Sequence, residues 1–367
     1  MKTVRLSHSQ ANKYSDCQQS WYYHYVKRLR KRTTTSALLF GGLIDKAVEK
    51  YLETGNKDEA LYVLKEQWKR QEINGVLREL FSCPDLVYSN TDFDKDLLQE
   101  EDWKELKELH GEDCYKEYLN VKKQKDIIGF DLLKREKKIL FNNFNWLSML
   151  RKGNLMFEKV LEVLDEEVEE VLSTQEKIEL ENEEGDGIIG YADFVVRLKG
   201  YDKPVILDLK TSSIDYQEDS VKTSQQLALY LTALSEQYED TRYAGYLVLH
   251  KRIKKNKKKI CSECGHDGTG ARFKKCNNEI DGKRCNGEWN ETITFEVKHQ
   301  LIVDKISEHV TDMVMDNLMT ITESIKTGKI VKNFQACMKP WGPCPYYSLC
   351  YEKKMDGLIE LEEKKDG

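Results

Sequence analysis

Two carboxylates and a lysine lie close together in the middle of the chain. Asp193 closes the run Ile188-Ile-Gly-Tyr-Ala-Asp, and Asp208 and Lys210 belong to Pro204-Val-Ile-Leu-Asp-Leu-Lys. Side chains at i and i+2 of a strand share a face, so Asp208 and Lys210 project together. Asp193 and Asp208 are hard oxygen ligands of the kind that hold Mg²⁺ or Mn²⁺, and the backbone carbonyl of Leu209 offers one more oxygen. A divalent ion held there would polarise a phosphate and generate hydroxide from water, with the ammonium steadying the charge that develops. The implied chemistry is metal-assisted cleavage of a phosphodiester. Asp-x-Lys by itself is a common pattern and equally describes unrelated surface residues on a hairpin, so the surrounding residues decide.

Such a constellation needs strands to carry it and helices to cover it. Residues 166–182 read as a strand leading out of an acidic helix. Ile188–Leu198 and Val205–Leu209 read as strands rich in β-branched residues. Thr223–Gln237 reads as a helix, Tyr243–His250 as a strand, and Thr292–Val297 as its partner. The spacing of Ile302, Ile306 and Val310, with Met313 and Met315, predicts a long helix over about 301–327. Before them, residues 5–30 open with a cap-like Leu6-Ser-His-Ser-Gln and continue into an aromatic stretch, Trp21, Tyr22, Tyr23 and Tyr25. Residues 36–54 predict a second helix with Ala47, Val48, Tyr51 and Leu52 on its apolar stripe. From about 57 to 172 the pattern is helical and heavily charged, with Trp68, Leu77, Leu97, Trp103, Leu106 and Tyr118 at helical spacing and no chemical motif. The fold class expected is α/β, a mixed central sheet flanked by helices. The core would comprise 1–56 and 173–367, with a helical insertion at 57–172 and a metal-binding insertion at 255–291.

The chain has 367 residues, a net charge of −6 and ten cysteines. No run of about 18 apolar residues occurs, so no membrane span is expected. The first residues lack the apolar centre of a signal peptide, which points to an intracellular, cytoplasmic protein. Cysteines in such a compartment are not expected to form a disulfide framework. Cys83 and Cys114 stand alone and read as ordinary thiols. Cys261, Cys264, Cys276 and Cys285 read as a zinc ribbon, with glycines at 265, 268 and 270 for tight turns and His266 as an alternative ligand. The metal would serve either a contact surface or simply the folding of an insert without a core of its own. The run Lys251–Lys259 places seven cations in nine residues just before this quartet. A solvated loop is the ordinary explanation; beside a zinc module it also suits phosphate contact.

Five stretches occur in an order that resembles the PD-(D/E)XK nuclease superfamily, and within it the RecB-like branch. They are Leu6-Ser-His-Ser-Gln with Cys17-Gln-Gln-Ser-Trp-Tyr-Tyr-His-Tyr; Phe40-Gly-Gly-Leu-Ile-Asp-Lys-Ala-Val-Glu; Gly190-Tyr-Ala-Asp; Ile206-Leu-Asp-Leu-Lys-Thr-Ser; and Gln226-Leu-Ala-Leu-Tyr. The resemblance covers roughly 6–54 and 186–250. It implies a catalytic set of Asp193, Asp208 and Lys210, a metal ligand at Asp45, and a supporting pair at Gln226 and Tyr230. The second motif usually carries a histidine where this chain has Asp45, which is still a competent Mg²⁺ ligand. Glu49 follows one helical turn later on the same face.

The resemblance extends to Cys17, Cys337, Cys344 and Cys350, the arrangement that staples AddAB-type and CRISPR-associated nucleases with a [4Fe–4S] cluster. The six residues between Cys337 and Cys344 exceed the usual two. A zinc ion or free thiols at the same residues are the alternatives. The function implied is a DNA exonuclease acting on ends or single strands in replication, recombination or repair, of the stand-alone phage type, with a helicase or recombination protein as a partner class. A catalytically silent DNA-binding module and an RNA-directed enzyme are the competing readings.

Overall fold

The computed structural model describes residues 3–73, 76–79, 87–88, 93–270, 272–280, 282–339 and 342–361, and for 71–79 and 87–88 the backbone alone. Cys83 and the side chain of Leu77 lie outside the described residues. The central sheet has six strands: β1 (Arg5–Leu6), β2 (Val168–Glu181), β3 (Gly187–Leu198), β4 (Val205–Ser212), β5 (Tyr243–Cys261) and β6 (Trp289–Lys305). β3 and β4 are antiparallel, β4 and β5 parallel, and β5 and β6 antiparallel. β2 runs antiparallel along β3, and β1 lies parallel to its first residues. The sheet is mixed, as the order of elements implied.

The helices are α1 (His8–Asp16), α2 (Ser36–Thr54), α3 (Lys57–Lys69), α4 (Glu100–His110), α5 (Cys114–Ile128), α6 (Arg135–Glu167), α7 (Gln225–Leu234), α8 (Glu308–Lys326) and α9 (Tyr347–Glu352). α7 lies in the connection that lets β4 and β5 run parallel. α2 buries Phe40, Leu43, Ile44, Ala47 and Val48, a stripe at helical spacing, and ends at Gly55 with φ +66°. α7 starts on Ser224, whose hydroxyl accepts from the Leu227 amide at 3.1 Å. None of the helices is long and apolar enough to cross a membrane among the described residues.

Two apolar cores lie on the two faces of the sheet. One joins Phe40, Ile44, Trp68, Trp146, Phe157 and Val160 to Leu207, Leu209 and Leu247. The other joins Leu6, Tyr14, Trp21, Leu227, Leu231 and Leu318 to Val195, Ile206 and Val248. A third, with Leu106, Tyr118, Phe141 and Phe144, belongs to α4, α5 and the first part of α6. The segment 57–172 therefore has two roles. α3 and the later turns of α6 cover the sheet itself, whereas α4, α5 and the first part of α6 form a satellite core.

Three expected elements differ. Residues 5–30 hold a short strand, α1, one turn at Gln18–Trp21 and a π turn at Tyr22–Val26 instead of one helix. The helix expected from 301 starts at Glu308, because Leu301–Lys305 pair with Tyr243–Leu247 in β6. Apolar residues at 302 and 306 fit a helical stripe and a half-buried strand equally well, and pairing decides. The lysine run is strand: β5 continues to Cys261, paired with β6 down to Trp289. Exposure alternates there, with Arg252, Lys254 and Asn256 outward and Lys251, Ile253 and Lys255 half-buried. Long aliphatic stems tolerate that position while their charged ends reach water.

Candidate active site

Asp208 lies on β4 and is 1% exposed. Its Oδ1 accepts from Gln226 Nε2 at 2.8 Å and from the Tyr230 hydroxyl at 3.4 Å. Gln226 Nε2 also donates to the Tyr230 hydroxyl at 2.5 Å. Asp208 Oδ2 forms an ion pair with Lys210. The i, i+2 relation on β4 thus brings the lysine to the carboxylate, and the i, i+4 relation on α7 brings the amide and the phenol to the same oxygen.

Asp193 is placed differently. Ala192 packs in one core and Phe194 in the other, although a regular strand would keep both on one side. The alternation of β3 breaks at Asp193. Gln175, in the adjoining part of β2, has φ +48° and its amide reaches Asp193 Oδ1 at 3.4 Å. Local irregularities of this kind re-aim a side chain. The other oxygen, Oδ2, accepts from the Leu209 amide at 2.8 Å. Leu209 thus meets the site through its N–H as well, a contact the sequence did not suggest.

Asp45 comes from α2, which lies so close to β4 that a Cβ on Gly41 would sit 3.1 Å from Thr211 Oγ1. Burial and then the charge of Asp193 push the Asp45 carboxyl up to about 7, with Asp208 and Glu49 adding and Lys210 opposing. Burial and then Asp208 push Asp193 up to about 6, against the Leu209 amide and Lys210. Burial also raises Asp208, opposed mainly by Lys210. Burial works against the Lys210 ammonium, yet Asp208 and Asp193 outweigh it and hold its pKa above the ordinary lysine value. Burial, then Asp208, keeps the Tyr230 phenol far above its usual value.

Three carboxylates raised by burial, Asp45 and Asp193 also by neighbouring carboxylates, suit a divalent cation, which would favour the ionised form of all three. Among the described residues, the cysteine quartet is the one group of three or more His, Cys, Asp or Glu donors with all atoms within 4.8 Å of one another.

Sequence reasoning missed three neighbours. Gln175 carries no motif, and its role depends on a backbone irregularity. His8 lies within the opening motif; burial and then Lys210 lower its pKa. Tyr246 pairs with Asp208 across β4 and β5, and its hydroxyl lies 2.6 Å from Ser224 Oγ.

Cys261, Cys264, Cys276 and Cys285 converge at the far end of β5. The Cys261–Cys285 and Cys264–Cys276 sulfur separations are 3.6 and 3.7 Å. Thiolates about 2.3 Å from a tetrahedral ion lie about 3.8 Å apart, so the cage has the right size for one metal. His266 is not part of it. Burial works to raise the Cys261 thiol, but the amides of Cys264 and Glu263 and neighbouring thiols bring it down to about 7.

Cys17, Cys344 and Cys350 lie near one another where the first helices adjoin the C-terminal segment. Asn333 Nδ2 donates to the Asp16 carbonyl at 2.8 Å, and the Val331 amide donates to Gln18 Oε1 at 2.8 Å. The Cys344 amide donates to the Cys337 carbonyl at 2.8 Å. Cys17 and Cys344 line one cavity, and burial, then Cys344, raises the Cys350 thiol, with Cys17 adding. Cys337 turns to other partners: its thiol faces the Asn333 carbonyl at 3.6 Å and the Tyr351 hydroxyl at 3.7 Å. Cys114 is buried in the satellite core, as expected of an ordinary thiol.

A family model for the PD-(D/E)XK nuclease superfamily matches residues 5–351. The chain belongs to that superfamily, whose members are metal-dependent nucleases. A search of curated proteins finds no match for it.

Proposed function

We propose that this protein is a divalent-metal-dependent DNA nuclease of the RecB-like branch, acting on ends or single strands in replication, recombination or repair. The observation that carries the reading is the buried Asp208 carboxylate, shared between Lys210 on one oxygen and Gln226 with Tyr230 on the other. Burying a carboxylate is costly, and the partners that offset that cost also fix its position.

Asp193, Asp208 and Asp45 would hold Mg²⁺ or Mn²⁺, which supplies polarisation of the phosphate and a more acidic water. The remaining work belongs to the chain. Lys210 faces the phosphate and steadies its developing negative charge as water adds to phosphorus and the P–O ester bond breaks. Gln226 and Tyr230 fix the Asp208 carboxylate, and the Leu209 amide fixes Asp193. Asp45 in place of the family's histidine leaves a wholly oxygen-donor site, which favours Mg²⁺ or Mn²⁺ over softer metals.

Zinc is the reading for the compact quartet. A [4Fe–4S] cluster is the reading for Cys17, Cys337, Cys344 and Cys350; a cubane holds its thiolates farther apart than a single ion does, and closure of so long a loop would restrict the unfolded chain.

The test is degradation of end-labelled single- and double-stranded DNA by anaerobically purified protein with Mg²⁺ or Mn²⁺, beside Asp208→Asn and a matched RNA. Metal-dependent DNA cleavage lost in the variant supports the reading. DNA binding without cleavage by cluster-loaded protein would replace it with a catalytically silent module.

A further inference from the structure

Beyond His250 the β5 strand leaves the sheet. Among the described residues, β4 pairs with it as far as Ser212 opposite His250, and from Ile253 to Cys261 its one strand partner is β6. The result is a two-stranded ribbon with the cysteine quartet at its tip. It starts beside the carboxylate site: Val248 on β5 pairs with Lys210 on β4. At about 3.3 Å per residue, Lys257 and Lys258 lie about 30 Å along the ribbon from that point.

The ribbon and its tip are basic within an acidic chain. Residues 251–297 carry twelve Lys or Arg against seven Asp or Glu, while the whole chain has net charge −6. Some of these cations are already used. Lys254 pairs with Glu296, Lys259 with Glu291, and Lys255 with Asp94 and Asp96 at the edge of the satellite helices. Those pairs fasten the ribbon. Arg252, Lys257, Lys258, Arg272, Lys274 and Lys275 are exposed and pair with no carboxylate among the described residues.

The tip adds an aromatic. Phe273 is 56% exposed between Arg272 and Lys274. The loop that carries it is held from below, because Trp289 Nε1 donates to the Phe273 carbonyl at 3.0 Å and Cys264 and Cys276 anchor its two ends. A large apolar ring with cations on each side, on a pinned loop, is what stacking on an unpaired base beside its phosphates requires. Protein partners would call for an apolar patch, and the ribbon's outer face is Lys254, Asn256, Lys258, Thr292, Thr294 and Glu296.

We infer that the ribbon from Lys251 to Val297 is a docking arm for the polynucleotide, its free cations on phosphates and Phe273 on a base at the tip, beyond Lys257 and Lys258 and about 40 Å along the ribbon from the carboxylate site. The inference rests on the nuclease reading for its substrate and assigns the arm a role that reading does not need. A strand engaged at both places must span that distance, about twelve nucleotides at a stacked 3.4 Å rise; an unstacked strand needs fewer, and a 4-mer is too short in either form. Short substrates therefore reach the carboxylate site alone.

The test uses the full chain with its metals loaded, made non-cleaving by Asp208→Asn, and fluorescein-labelled single-stranded DNA of 4 and 30 nucleotides in an anisotropy titration across salt concentrations. The 30-mer is expected to bind at least tenfold more tightly than the 4-mer. Arg272→Ala/Phe273→Ala/Lys274→Ala/Lys275→Ala, confirmed folded by unchanged zinc content, should lose most of that gain and leave the 4-mer unaffected. Lys257→Ala/Lys258→Ala on the strand, away from the metal, should lower the salt slope by about 0.7 per single-strand phosphate contact removed. Equal affinities for the two lengths, or variants that bind the 30-mer as the parent does, overturn the arm. Cleavage by wild type with an indifferent arm removes this inference only; arm-dependent binding without cleavage by wild type removes the nuclease reading and keeps the arm.

Discussion

The Leu209 amide donates to Asp193 Oδ2 at 2.8 Å, so the strand that carries Asp208 and Lys210 also holds the carboxylate of its neighbour. Two acidic residues on different strands are thereby locked in one frame. Buried like charges repel, and the amide and Lys210 offset part of that cost. The rest remains as raised carboxyl pKa values, and it links metal binding to pH.

Asp208→Asn is expected to lower DNA cleavage by at least about a thousandfold, and Lys210→Ala by roughly a hundred- to a thousandfold, the usual cost of losing one charge-stabilising donor. Single-turnover rates at saturating Mg²⁺ are the measurement. A Lys210→Ala variant within tenfold of wild type would remove the lysine from the reaction.

Gln226 acts through Asp208, so its loss should appear first in metal affinity. Gln226→Leu is expected to raise the Mg²⁺ concentration needed for half-maximal rate by about 10- to 100-fold, the range for partners of metal-binding carboxylates. Gln226→Asn, which keeps the amide on a shorter stem, should recover part of it. A Mg²⁺ titration of both variants with an unchanged midpoint would reduce Gln226 to packing.

The pH dependence follows from Asp45 at about 7 and Asp193 at about 6, both above the ordinary unfolded value of about 3.9. Between those limits the metal-free folded protein binds more protons than the unfolded chain. Their stabilisation is complete below pH ~4 and is lost as pH rises through about 6 and 7. Metal-free protein should lose about 1.4 kcal/mol per pH unit for each such proton over that window. Asp45→Asn should flatten the upper part of the slope, and Mg²⁺, which binds the ionised form, should oppose the loss. Thermal denaturation from pH 5 to 8, with and without Mg²⁺, measures this. An unchanged profile in Asp45→Asn would contradict it.

At the cysteine quartet, Gly287 has no room to grow toward a ligand thiol. A Cβ there would lie 2.6 Å from Cys261 Sγ. Gly287→Ala should displace that thiol and weaken zinc retention by about tenfold or more under a chelator competition, whereas Gly282→Ala, with open space around it, is strained only by its φ of +71°. Zinc content by elemental analysis after dialysis against chelator is the check. Equal retention in Gly287→Ala and wild type would mean that the thiols do not share one ion.

Much of the fold was legible because it depends on local periodicity. The apolar stripe of residues 36–54 matches α2 at both ends, and β-branched runs marked β3 and β4. The lysine run was not legible as strand, because its charges hide a period-2 pattern whose partner, β6, lies some thirty residues later. Residues 301–305 failed for the opposite reason, an apolar spacing that two kinds of structure share.

The site divides the same way. The sequence by itself determined which residues are near one another along an element: Asp208 with Lys210 by the two-residue period of a strand, Gln226 with Tyr230 by the four-residue step of a helix, and Cys261 with Cys264 by a tight turn. Only the tertiary structure decided where Asp193 points, since that depends on a break in the alternation of β3, on Gln175 from β2 and on an amide from β4. It also decided that the basic run stands beside the carboxylates as a ribbon, because long-range strand pairing, which no local pattern encodes, sets both its direction and its distance.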